Sequence, residues 1–152
     1  MMVFEEYLLE SKSHTLSGVI LIYNNKILLV RPKKFRRKMR KWSIPKGHTE
    51  GNIGKLETAL KELEEESRIK LKKQQLKNGK KTTIKYYKAG VEKNLTCYVV
   101  NINKKDINVR LFNDMILGNF LKGETVEAGF FSKNDAKKII EKYQLDFLKN
   151  LD

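Results

Sequence analysis

Hydrophobic positions along the chain change period several times, and each change marks an element. "SGVILIYNNKILLVRP" holds two β-rich runs, Val19–Tyr23 and Lys26–Arg31, and the Asn24-Asn25 pair between them tolerates the positive φ of a two-residue hairpin. "WSIP" reads as a short strand stopped by Pro45, and the glycine-rich "KGHTEGNIG" reads as loop. From Lys55 the period lengthens. Leu56, Ala59, Leu60 and Leu63 fall at i, i+3, i+4 and i+7, the stripe of a helix that faces a core. Ile69–Leu76 reads as extended and leads to a turn at "KNGKK". "TTIKYYKAG" and "LTCYVVNIN" are predicted strands joined by "VEKN", and "INVRLFN" and "VEAGFF" are two more. "SKNDAKKIIEKYQLDFLKNL" closes the chain as a helix, with Ser132 and Asp135 set as a capping box and Ala136, Ile139, Ile140, Tyr143 and Phe147 as its apolar stripe. Residues 1–16 read as an N-terminal extension, with no repeat and no linker after them. The order predicts a single α/β domain, a mixed sheet with a helix on each face.

Composition narrows the class. Apolar residues make up 40% of the 152, enough to bury one core, and no apolar run nears the roughly 20 residues that span a bilayer. The N-terminus lacks the basic start of a secretory signal, and the single Cys97 precludes an internal disulfide, so a reducing cytoplasm and no membrane are expected. Cys97 sits in the alternating "NLTCYVVNI" and reads as a strand residue. Thirty-two Lys and Arg against 18 Asp and Glu give a net charge of +14, which points to a polyanionic partner or substrate. "RPKKFRRKMRK", residues 31–41, is a basic loop able to meet phosphates.

Against that background one helix is acidic. Glu57, Glu62, Glu64, Glu65 and Glu66 lie within ten residues, and like charges at i,i+3 and i,i+4 repel. Glu62, Glu65 and Glu66 share a face, whereas Glu57 and Glu64 project elsewhere. A hard divalent cation such as Mg²⁺ would turn the repulsion into coordination. The helix follows a glycine-rich loop, and such a loop lets backbone approach phosphate closely. Carboxylates for metal, metal for phosphate and a basic loop beside them suit pyrophosphate chemistry.

The stretch resembles the Nudix box, G-x5-E-x7-R-E-U-x-E-E-x-G-U, with U a bulky aliphatic residue. Gly47, Glu62, Leu63, Glu65, Glu66 and Ile69 match in register over residues 47–69. Ile53, Lys61 and Arg68 stand where the family has Glu, Arg and Gly. Because both members of the usual Glu–Arg brace are changed, no charge is left behind unpaired. "GVILIYNNKILLVR", "WSIPKG" and "EAGFFSKNDA" extend the resemblance to roughly residues 16–150. It implies a Nudix-type sandwich with a curved mixed sheet, and a hydrolase of phosphoric anhydride bonds using Mg²⁺ or Mn²⁺. It implies Glu62, Glu65 and Glu66 as metal ligands and catalytic residues, with the Lys46 carbonyl as a further ligand. Glu124 is the favoured additional carboxylate, with Glu127 as the alternative. Arg31, Arg36, Arg37, Lys46 and Gly47 are expected at the substrate phosphates, and Phe35, Tyr86 and Tyr87 are candidates to stack a base, with Trp42 and at least one tyrosine better suited to the core. His48 and His14 are weaker candidates. "PKGH…LETAL" resembles diadenosine tetraphosphate hydrolases in particular, which favours a dinucleoside polyphosphate or related nucleotide. RNA 5′-end hydrolysis or decapping, and a non-catalytic nucleotide- or RNA-binding module, are the alternatives.

Overall fold

A computed structural model describes residues 14–33, 42–49, 53–118, 120 and 125–151. One mixed sheet runs through it. Its strands are β1 (Thr15–Tyr23), β2 (Lys26–Pro32), β3 (Lys46–His48), β4 (Lys80–Lys88), β5 (Val91–Ile102), β6 (Leu111–Phe112), β7 (Met115–Ile116) and β8 (Thr125–Ser132). The order across the sheet is β4-β5-β1-β2-β8-β7-β6, with β3 also paired to β1. β1 lies parallel to β5 from Thr15↔Asn94 to Tyr23↔Ile102, and the other ladders are antiparallel. The helices are α1 (Lys55–Ser67), α2 (Lys73–Lys77), α3 (Lys133–Ile139) and α4 (Leu145–Lys149).

Each face of the sheet carries its own core. On one, Ala59 and Leu63 of α1 pack fully buried against Val19, Leu21, Leu28 and Val30. On the other, Ala136, Ile140, Phe147 and Leu148 cover Ile20, Ile27, Leu29 and Leu95. β1 is buried on both sides and divides its residues between the two cores, since alternate side chains point to opposite faces. The sandwich expected from the sequence is therefore present, α1 on one face and the C-terminal helices on the other.

The β1–β2 hairpin turns at Asn24 and Asn25, with φ of 55° and 62°, as the sequence predicts. Ser132 Oγ accepts the amide of Asp135 at 3.1 Å, the expected cap of α3. Other boundaries differ. β1 begins at Thr15 rather than Val19, because its first residues pair with β3 and β5. The β4–β5 turn falls at Ala89-Gly90, with φ of 53° and 80°, so Val91–Asn94 belongs to the strand and not to a connection. "KGH" is a strand, Lys73–Lys77 a short helix, and "INVRLFN" yields only the two residues of β6, which turn back into β7 through Asn113 and Asp114. The closing helix is broken at Ile140, which bridges to Trp42 and leaves α3 and α4 as separate pieces around a 3₁₀ turn at Lys142–Gln144. Among the described residues no helix is long and apolar enough to cross a membrane.

Candidate active site

The site forms where β3 meets α1. Leu63 faces the core, so Glu62 and Glu66, one turn apart, flank it on the side of α1 beside β3. β3 is held by the pairs Leu16↔His48, Ser17↔Gly47 and Gly18↔Lys46. The helix and the strand meet closely enough that a Cβ on Gly47 would overlap the Glu62 carboxylate, so any larger residue there would displace that side chain. The Lys46 amide donates to Glu66 Oε1 at 3.1 Å. Glu62 and Glu66 are hydrogen-bond neighbours, and burial followed by the charge of Glu62 pushes the Glu66 carboxyl up to about 8, while the Lys46 charge and amide oppose the shift. Two acids forced together in a low-dielectric crevice raise one another in this way. Glu65 buries its Oε1. Glu57 projects from the first turn to Lys73 Nζ at 3.3 Å, and Ser67 turns its hydroxyl to the Leu63 carbonyl, so neither joins the pair.

The arrangement suits a hard divalent cation in part. Glu62 and Glu66 offer adjoining carboxylate oxygens whose mutual repulsion a cation would relieve. Among the described residues, no three His, Cys, Asp or Glu side chains are yet gathered as a complete metal cage. Glu124, expected to add a carboxylate, lies outside the described residues, as do Phe35, Arg36 and Arg37.

The remaining candidates separate by position. Glu127 receives Arg31 Nε at 2.8 Å, the two standing opposite each other in the β2–β8 register, so both are engaged in a half-exposed ion pair. Such a pair contributes about 0–1 kcal/mol and yields readily to a phosphate. Tyr86 is buried and stacked on Tyr143 with centroids 3.9 Å apart, so its ring serves the core, while Tyr87 beside it is 69% exposed. Trp42 packs edge-on against Phe131 at 4.9 Å. His48 is exposed at the end of β3, and His14 precedes β1. Cys97 is fully buried, and desolvation pushes its thiol up, away from the reactive thiolate.

The three departures from the box also have places. Ile53 is exposed before α1, and Lys61 is exposed on it. Loop and helix are joined instead through Lys46 N–H and Glu66. Arg68 takes the left-handed conformation, φ 72°, that glycine would adopt, and ends α1 with its amide on Glu64 O. Its guanidinium donates to Leu117 O at 3.1 Å and lies against Gly118, while Asn108 Nδ2 donates to its carbonyl at 3.2 Å.

Sequence reasoning missed Gln144. It is fully buried, accepts the Ile44 amide at 2.9 Å and donates to Ser43 Oγ at 2.9 Å and Tyr143 Oη at 3.0 Å, fixing the segment that enters β3. A lone Gln in a helical pattern carries no signal of such a role.

Comparisons with known proteins agree with the geometry. The NUDIX domain model matches residues 13–151. The fold is similar to an Ap4A hydrolase of C. elegans solved as a binary complex (TM-score 0.67, 20% identity, 89% of this chain and 92% of that one). It is also similar to a NUDIX hydrolase from Nitrosomonas europaea (TM-score 0.66, 14% identity, 91% and 86%). A third is a bifunctional NMN adenylyltransferase/ADP ribose pyrophosphatase from Francisella tularensis complexed with AMP and Mn ion (TM-score 0.62, 18% identity, 97% and 46%). No curated protein sequence matches. With its box in register on α1 and its matched region spanning nearly the whole chain, this protein belongs to the Nudix family and is a Nudix hydrolase, an enzyme of phosphoric anhydride bonds.

Proposed function

We propose that the protein hydrolyses the P–O–P linkage of a nucleoside diphosphate joined to another moiety, with Mg²⁺ or Mn²⁺, and that a dinucleoside polyphosphate is its preferred substrate. The observation that carries this reading is the Glu62–Glu66 pair, pressed between the Gly47 backbone and the Lys46 amide where a cation and a pyrophosphate would meet. Glu62, Glu65, Glu66 and the Lys46 carbonyl would hold the cation, with Glu124 completing the set. When bound, the cation supplies the positive charge that offsets charge developing on a phosphoryl group. The chain's own residues prepare for it. Lys46 N–H fixes Oε1 of Glu66 and so orients the carboxylate. Gly47, lacking a side chain, leaves room for the Glu62 carboxylate against the strand. The positive charge of Lys46 draws Glu66 toward its ionised form and lies ready for a phosphate oxygen.

The dinucleotide preference is supported by "PKGH" and "LETAL" and is tested by a panel with each metal: diadenosine tetraphosphate, ADP-ribose, and triphosphorylated and capped RNA. The expected result is a kcat/KM for the dinucleotide at least tenfold above the others. Absence of turnover on every P–O–P substrate with either ion would sink the hydrolytic reading, and a preference for RNA would move the substrate to its 5′ end.

A further inference from the structure

A second cleft opens at the far end of the sheet. It encloses about 780 Å³ and is lined by Ile22 and Asn25 at the first hairpin, by Asn78–Thr82 and Val99–Asn101, and by Lys133, Phe147 and Asn150. Its shape follows from the topology. β4 starts at Lys80, opposite Val99, so the last residues of β5 run on past the end of β4. α4 covers the sheet with Phe147 and ends at Lys149. Gly79 passes so near Val99 O that a Cβ would overlap that carbonyl, which keeps the wall of the cleft close to its floor. Ile22, Ile27, Val99 and Phe147 belong to the core of the α3/α4 face, opposite the face that α1 covers. Gly47 stands beside Ser17, and Ile22 is five residues further along β1, about 17 Å at the strand rise.

The chemistry of the lining is one-sided. Lys80, Lys81 and Lys133 contribute cations, and Asn25, Gln75, Asn78, Asn101 and Asn150 contribute amides able both to donate and to accept. No Asp or Glu lines it. Lys80 and Lys81, exposed, form no ion pair among the described residues. Ile22, Val99 and Leu151 give it a partly exposed apolar surface. Cations for phosphate, amides for the edges of a base or sugar, and a partly exposed apolar surface make up the recognition set of a nucleotide, and the volume falls in the range of a small-ligand pocket.

We propose that this cleft is a second, non-catalytic site that binds a mononucleotide by its phosphates on Lys80 and Lys133 and by its base over Ile22 and Val99. It does not depend on the catalytic reading, since none of its residues belongs to the Glu62–Glu66 site. The test is calorimetric titration of ADP into the full chain in EDTA, where hydrolysis is stopped, with parallel titration of inorganic phosphate. ADP is expected to bind at one site, with methyl NMR signals of Ile22 and Val99 shifting, and Lys80→Gln with Asn101→Leu should weaken it at least tenfold. Glu66→Gln should leave it unchanged, and the Lys80/Asn101 variant should retain metal-dependent turnover. Absence of ADP binding in EDTA, binding insensitive to the Lys80/Asn101 change, or loss of binding in Glu66→Gln would each overturn the proposal. Phosphate binding as tightly as ADP would reduce the cleft to an anion site and overturn its nucleotide character.

Discussion

The segment running through Trp42 to Gly47 is held from opposite sides by two polar side chains, Gln144 fully buried and Glu66 partly so, and they are held in opposite ways. From the C-terminal side Gln144 meets Ile44, Ser43 and Tyr143, and both ends of its amide are matched. From α1 Glu66 meets the Lys46 amide, yet it also faces Glu62, and its carboxyl is raised to about 8 by burial and that neighbour. A satisfied buried group fixes architecture, because breaking it leaves the other partner desolvated. A buried group left in conflict stores a demand that only a ligand meets, and such conflicts gather at functional sites. The segment from Ser43 to Lys46 thus joins a fully matched clamp to a pair of carboxylates that remains in conflict.

Removing either conflict or clamp should separate the two roles. Glu66→Gln and Glu65→Gln are expected to lower turnover most. If metal coordination is worth several kcal/mol of transition-state charge stabilisation, the loss is roughly 10²- to 10³-fold in kcat. The metal-free melting temperature of Glu66→Gln should equal or exceed that of the parent, since repulsion with Glu62 is relieved. Wild-type turnover in either variant would break the assignment.

Gln144→Leu should do the reverse. It leaves the Ile44 amide buried without its acceptor, at a cost of about 1–3 kcal/mol. Thermal unfolding should show that loss, while melting temperature gained on adding Mg²⁺ is retained below the transition. If the variant is as stable as the parent, the clamp is not what fixes the segment.

The pH dependence of the metal-free protein reports the conflict directly. Glu66 is raised from 4.5 to about 8 in the folded state, so the folded protein holds a proton the unfolded chain has released. The stability this proton contributes is full below 4.5 and is lost as pH rises through about 8. Melting temperature without metal should therefore fall between pH 5 and 8, and saturating Mg²⁺ should offset the fall because it binds the ionised carboxylates of the folded state. A curve flat or rising over that window in wild type, and identical in Glu66→Gln, would remove the conflict from the comparison.

Local chemistry was legible in the sequence where a single residue type decides it. Asn24 and Asn25 announce a turn with positive φ, Ser132 announces a cap, and the stripe from Leu56 to Leu63 announces the buried face of α1. Gly47 could be marked by its place ahead of the acidic helix, although its reason, the Glu62 side chain against its Cα, is a tertiary fact. What stayed hidden depends on partners distant in sequence. "KGH" becomes a strand because β1 offers it an edge. The C-terminal helix breaks because Ile140 pairs with Trp42. Ala89 takes a positive φ that its side chain disfavours, and so moves the β4–β5 turn from where Val91–Asn94 would place it. Tyr86 and Tyr87 are neighbours of one type, and only the alternation of β4 sends one to the core and one to solvent.

The smallest effect concerns the end of α1, where Arg68 replaces the glycine of the box. A non-glycine residue in the left-handed region costs about 1 kcal/mol relative to glycine, and one hydrogen bond to a carbonyl returns about the same. Arg68 shows both terms: φ of 72°, and a guanidinium donating to Leu117 O beside Gly118. Arg68→Gly removes strain and tether together, so its unfolding free energy should lie within about 1 kcal/mol of the parent. Arg68→Ala keeps the strain and loses the tether, so it should be less stable than Arg68→Gly by about 1 kcal/mol. Chemical denaturation of the three proteins orders them. The arginine is a tether to the β6–β7 hairpin if the alanine variant is the weakest. Equal stability of Arg68→Ala and the parent would mean that the guanidinium contact contributes nothing, and that α1 ends where it does through Glu64 and Asn108 alone.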